Sequence, residues 1–228
     1  MRVCVSDWGM IAPANEQSLE TLDTKALPAS ARRRLGVFGQ LAGCLMKDKT
    51  ANSPLIVFAS RYGDEKRSLQ ILEEICKGEA LSPMNFSLSV HNAVPGVLSI
   101  AWKLKEMQSV IAAGADTFAM GLTEAFSLLD TFPDKPVLLV YVDIPLPEVF
   151  AEFEDKEKNT GVCAILLQKK PQAEGHLEVK ASLEPKANST ACNLQRQFEH
   201  LKAFLEGSAE KAVIEAQHFN WNLERAHG

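Results

Sequence analysis

Two stretches of this chain are apolar without interruption by polar alternation: Leu55 to Ala59 reads LIVFA, and Val137 to Ile144 reads VLLVYVDI. A strand with one wet face alternates polar and apolar residues, whereas a continuous run of strand length marks a strand buried on both faces. Such strands need a packed layer on each side. The intervening segments supply those layers. Leu35, Phe38, Leu41, Ala42 and Leu45 recur at spacings of three and four between Pro28 and Met46, as one face of a helix does. Leu69, Leu72, Ile75 and Cys76 mark a second amphipathic helix stopped by Gly78.

Shorter signals fill in the order. Val3 to Val5 begin a strand that Gly9 to Ile11 continue until Pro13, and Phe86, Leu88 and Val90 alternate with Ser87 and Ser89 as a strand would. Val94 to Met107 reads as a helix, Val110 to Ala113 as a short strand closed by Gly114, Thr117 to Leu129 as a helix, and Val162 to Leu167 as a strand after the charged connector Glu152 to Lys158. Alternating strands and helices predict an α/β chain built on a layered sheet. The last sixty or so residues differ: Leu194, Phe198, Leu201, Phe204 and Leu205 form a helical stripe, while Ala212 to Leu223 shows no clear period. With no Gly/Ser linker or repeat, the expected organisation is a main domain over 1–170 and a helical tail over 171–228 packed on it.

Composition removes several functions. A net charge of -5 offers no cationic field for nucleic acid. Cys4, Cys44, Cys76, Cys163 and Cys192 are odd in number, scattered and never spaced as CxxC, so neither a disulfide framework nor a zinc site is expected, and a reduced, cytoplasmic setting fits. The acid at Asp7 interrupts an opening apolar run too short for a signal peptide, and no stretch reaches the ~20 apolar residues of a membrane span. No glycine-rich phosphate loop is present, so no nucleotide, and no other cofactor or metal, is expected.

Four segments, in order, resemble the N-terminal half of β-ketoacyl synthases. Val3 to Pro13 is similar to their opening strand and turn, Ala31 to Ala42 (ARRRLGVFGQLA) to the next helix, Ser82 to Ala101 to the strand and buried helix that carry the acyl-accepting cysteine, and Ile111 to Asp116 to the following strand and turn. The likeness spans about 3–168. Phe58 to Asp64 (FASRYGD) and Ser82 to Ala93 (SPMNFSLSVHNA) look characteristic of the short chain length factors associated with aryl polyene type clusters. The resemblance implies a thiolase-like fold, its N-terminal half, with the second half absent or reduced to the tail.

At the elbow the sequence departs from the family. Ketosynthases hold the acyl chain as a thioester on a cysteine whose thiolate is favoured by a helix N-terminus. Here the elbow is Ser89-Val90-His91-Asn92-Ala93, and Asn92 stands where the cysteine belongs, or His91 if the alignment slips by one. Neither forms the thioester. The family's two catalytic histidines lie in glycine-flanked motifs downstream, and His176, His200, His218 and His227 have no such setting.

Plainer readings stand beside these. Asn is a favoured helix cap, which would explain Asn92 without reference to catalysis. Ser89, like Ser87, has no GxSxG context and no acid and histidine placed to activate it. Arg32, Arg33 and Arg34 fall at an expected helix start, against the macrodipole, and so call for an acidic partner: Glu16, Glu20 or Asp23 within the chain, or an acyl carrier protein or partner subunit outside it. Arg61, Lys103 and Lys105 carry the same ambiguity. Phe118, Met120 and Phe126 read first as core, and the resemblance adds that Phe118 and Met120, with Met84 and Phe86, are placed to line an acyl tunnel or a subunit interface.

The reading that joins these features is a catalytically silent subunit, a chain length factor that pairs with a full-length, cysteine-bearing ketosynthase, shapes its tunnel and works with acyl carrier protein in polyene or fatty-acid-like synthesis. The alternative is a standalone acyltransferase or hydrolase using Ser89 or His91. A generic α/β ligand-binding module is the third.

Overall fold

The computed structural model describes residues 1–154, 160–171, 176–187 and 193–226. Cys192, His227 and residues 155–158 of the charged connector lie outside them. The strands are β1 (Arg2–Ile11), β2 (Leu55–Ala59), β3 (Gln108–Ile111), β4 (Val137–Asp143), β5 (Gly161–Gln168), β6 (Leu177–Pro185), β7 (Lys211–Glu215) and β8 (Phe219–Arg225). The helices are α1 (Ala29–Arg34), α2 (Val37–Met46), α3 (Glu65–Cys76), α4 (Pro83–Leu88), α5 (Ala93–Trp102), α6 (Thr117–Thr131) and α7 (Leu194–Glu206). One mixed sheet runs β3-β2-β4-β5-β1-β6-β8-β7. β2 is parallel to β3 and β4, and every other pairing is antiparallel.

The two continuous apolar runs become β2 and β4, side by side at the centre, and the side chains of each divide between two cores. Leu55, Val57, Val137, Leu139 and Tyr141 face one layer together with α6 and α7. Ile56, Phe58, Leu138, Val140 and Val142 face the other, with α2 and α5. Since both faces of β4 are fully buried, apolar burial on the scale of ~25 cal/mol per Å2 is gained on both sides of one strand. The result is a helix/sheet/helix sandwich, the layered α/β arrangement that the alternating strands and helices predict.

Three expectations change. The segment from Phe86 to Val90 is not a strand. Ser82 caps a short helix by accepting from the Asn85 amide, and Pro83 occupies its first turn. This Ser-Pro start outweighs two residues of apparent alternation. The helix expected between Pro28 and Met46 is two helices, broken where Leu35 is extended and Gly36 caps α2; Gln40 spans the break by donating to the carbonyls of Arg32 and Leu35. The tail is not simply helical. It adds β6, β7 and β8 to the β1 edge of the sheet, with α7 lying over them. Ala212 to Leu223 lacked a period because it crosses a hairpin, whose two strands each alternate in their own phase.

An aromatic cluster ties α6, β4 and α7 together. Phe118, Tyr141 and Phe198 meet edge to face at centroid distances of 5.0 to 5.6 Å. Gly161 lets Phe198 into this site, because a Cβ there would stand 2.5 Å from its ring. Among the described residues no helix is long and apolar enough to cross a membrane.

Gly161→Ala should therefore destabilise the chain by about 1–3 kcal/mol through overpacking, whereas Gly96→Ala, inside α5 with open space where its Cβ would go, should stabilise it by about 0.5–1 kcal/mol. Urea denaturation of both variants checks the signs.

Candidate functional site

Parallel strands β2 and β4 end side by side, and the polar groups just past their carboxyl ends converge on one carboxylate. Asp143, the last residue of β4, is 2% exposed. Its Oδ1 accepts from the Ser60 hydroxyl at 2.9 Å and the Tyr62 amide at 3.2 Å. Its Oδ2 accepts from the Arg61 amide at 2.9 Å and the Tyr141 hydroxyl at 2.5 Å. Ser60 in turn accepts from the Gly63 amide at 2.8 Å. The loop 60–63 is thus wrapped around a side chain from another strand.

Burial pushes the Asp143 carboxyl above its ordinary range, and the four donors pull it back. The same burial, with the neighbouring carboxylate, raises Tyr141 well above the usual phenol. Across the β4–β5 pairing from Tyr141, burial raises the Cys163 thiol to about 12, which makes it an inert core residue.

The elbow, Ser89 to Asn92, joins α4 to α5 and rests on this loop. His91 Nε2 lies 3.2 Å from the Ser60 carbonyl oxygen, so hydrogen bonding assigns the proton to Nε2. The ring covers Gly63, which has φ +79°, and a Cβ there would come within 3.0 Å of His91 Cε1. Asn92 occupies the N-cap position of α5, but its side chain caps nothing. Only its carbonyl takes part, accepting from Gly96 at 3.1 Å. The expected amide cap is therefore absent. Ser89 and Ser87 donate to the carbonyls three residues back, Phe86 and Met84, at 2.9 and 2.8 Å.

Beside Gly63 opens a cleft of about 400 Å3, walled by Leu69, Ile144, Leu146 and Pro147 and edged by Glu65 and the Glu16–Lys66 ion pair. Burial raises the Glu65 carboxyl, and His91 opposes that shift.

The remaining sequence-predicted residues separate. Met84, Phe86 and Met120 are exposed, Phe86 at 62%, while Phe118 is a core ring against Tyr141 and Phe198. Arg32, Arg33 and Arg34 lie in the last turn of α1 rather than at a helix start, where they complement the helix dipole instead of opposing it. Glu16, proposed as their partner, pairs with Lys66 at 2.7 Å. Arg61 gives its amide to Asp143 and stacks its guanidinium 4.7 Å over the Tyr62 ring. Sequence reasoning missed Asp143, Tyr141 and Ser60. The available signal was an acid ending the strongest apolar strand, a position where an ionisable group needs partners.

The family model for the N-terminal domain of beta-ketoacyl synthases matches residues 7–223, so it runs through the tail. No curated protein sequence matches the chain. Among solved structures, one in the complex of a ketosynthase (ApeO) with its chain length factor (ApeC) from Xenorhabdus doucetiae superposes with a TM-score of 0.76 at 25% identity, covering 99% of this chain and 100% of that one. A structure of a type II polyketide synthase acyl-carrier protein in complex with its ketosynthase bound to the hexaketide (AntDE:AntF) covers 100% and 99% at a TM-score of 0.63 and 12% identity. The ishigamide ketosynthase/chain length factor covers 81% of this chain and 68% of that chain at 0.58 and 11% identity. The last two likenesses concern the fold.

Asp143→Asn places an NH2 group against paired donors, so it should cost about 1–3 kcal/mol in urea denaturation and move the His91 Cε1 proton resonance through the loop. Asp134→Asn, at an exposed turn, serves as control and should do neither.

Proposed function

Because the chain belongs to the beta-ketoacyl synthase N-terminal domain family, we propose that it is a non-catalytic ketosynthase-like subunit, a chain length factor. It pairs with a cysteine-bearing β-ketoacyl-acyl-carrier-protein synthase and helps shape that partner's acyl tunnel during polyene or fatty-acid-like chain assembly. The observation that carries this reading is an elbow at the start of α5, where the resemblance places the family's cysteine, that holds His91 and Asn92 and no thiol. Cys4, Cys44, Cys76 and Cys163 lie on β1, α2, the end of α3 and β5, so none stands in for the missing nucleophile.

The surface around the elbow supports a subunit role. Met84 and Phe86 on α4, Val90 in the elbow, Ile100 on α5 and Met107 before β3 are all exposed apolar groups. On α3 only Ile71 is buried, and Leu72 and Ile75 remain about half exposed despite the amphipathic stripe. β3 is an edge strand of four residues, each partly exposed. Exposed apolar groups and an open strand edge are features that a partner covers. On this reading Met84, Phe86 and Met120 face the partner or its tunnel, Phe118 acts only through the core, where it packs on Tyr141 and Phe198, and Arg32, Arg33, Arg34 and Arg61 are candidates for carrier-protein or partner contact.

A serine hydrolase or acyltransferase reading loses support from the same geometry. Ser89 donates to a backbone carbonyl and His91 is engaged with Ser60, so the two do not form a nucleophile and base pair.

Incubated with acyl-carrier-protein thioesters, the chain should show no covalent acyl adduct by intact mass, and Asn92→Cys should not by itself confer condensation; an adduct removed by Ser89→Ala would overturn the reading. Phe86→Asp should weaken pairing with the ketosynthase by about tenfold or more, as loss of a buried aromatic anchor does.

A further inference from the structure

The cleft beside Gly63 holds a carboxylate whose charge is not met by a cation. Its neighbours are already satisfied: Asp64 pairs with Arg67 at 3.2 Å, and Glu16 with Lys66 at 2.7 Å. Glu154 takes the Leu146 amide at 2.9 Å. Glu65, in the first turn of α3, forms no ion pair among the described residues; the helix N-terminus and His91 favour its charge, and Asp64 adds repulsion. The cleft's apolar wall is formed by Leu69, Ile144, Leu146 and Pro147, with Asn15, Gln17 and the Glu16–Lys66 pair also lining it. A carboxylate held against apolar surface is a site for a cation that brings its own aliphatic stem.

The apolar surface also extends beyond the cleft. Val149 and Phe153, on the turn Glu148–Phe153 that follows the wall, are exposed at 61% and 63%. Tyr62 fixes that turn to the loop under the cleft by donating to the Phe153 carbonyl at 3.0 Å. A small amine would fill the region near Glu65 and leave this strip uncovered. A volume of about 400 Å3 continued by an apolar strip fits an extended segment of polypeptide instead.

We propose that this cleft docks a segment of a partner protein in which Arg or Lys is flanked by aliphatic residues, the cation seated on Glu65 and the aliphatic groups on Leu146 and the strip beyond it. Charge complementarity names the occupant: an acidic segment would add repulsion at Glu65, and a neutral one would leave it without an ion-pair partner. The site is lined by residues of the loop after β2, of α3 and of the segment after β4, and does not depend on the pairing proposed above.

The full chain, labelled at its methyl groups, can be titrated with Ac-Leu-Arg-Leu-NH2, Ac-Leu-Glu-Leu-NH2 and n-butylguanidinium. The arginine peptide should shift the Leu69, Ile144 and Leu146 methyls with an affinity about tenfold or more above that of the glutamate peptide, as a charge-assisted contact provides. Glu65→Gln, confirmed folded by an unchanged melting temperature, should remove that preference, and Leu146→Ser should weaken the arginine peptide while leaving its preference in place. No shift, equal response to both peptides, a preference surviving in Glu65→Gln, or n-butylguanidinium binding as tightly as the peptide would each overturn the proposal.

Discussion

The arrangement around the elbow depends on the carboxylate of Asp143. Placed at the end of a strand with both faces buried, it has no water to solvate it, and an unpaired charge there would be prohibitive. The chain supplies four donors, three of them from residues 60–62 and one from Tyr141. That requirement fixes the loop after β2, because its amides must point at β4. The loop then fixes what touches it: His91 on the Ser60 carbonyl and over Gly63, and the turn at Phe153 through Tyr62. One electrostatic demand made by β4 thereby positions the elbow, the cleft wall and the surface turn together.

The sheet sets the larger frame. Because β2 and β4 are apolar on both faces, helices must cover both, and the parallel crossovers through α3 to α5 and through α6 place the loops at one end of the strands. The antiparallel additions from β5 through β7 extend the sheet away from that end's chemistry and leave β3 as the open edge on the elbow side.

The sequence made the central strands legible because continuous apolar runs have one physical explanation. β2, β4 and β5 lie close to where the runs placed them. Short elements were less visible. The serines at 87 and 89 imitate strand alternation while their hydroxyls close turns of a helix and its end, and the arginines at 32 to 34 were given the wrong end of a helix because Leu35 and Gly36 break it between them and α2. In the tail, a hairpin hid its own periodicity. The Asp143 network was out of reach for a different reason: it joins residues more than eighty positions apart, and no local pattern reports that Ser60 and Asp143 end on neighbouring strands. The elbow was legible as residues, but the side-chain cap expected of Asn92 was not made, since α5 begins with only its backbone engaged.

Sedimentation velocity of the chain alone and co-expressed with a cysteine-bearing ketosynthase from the same source tests the central claim most directly. The account predicts self-association or instability alone and a stable species of defined stoichiometry with the ketosynthase. A stable, monodisperse monomer that shows no affinity for that ketosynthase would contradict it.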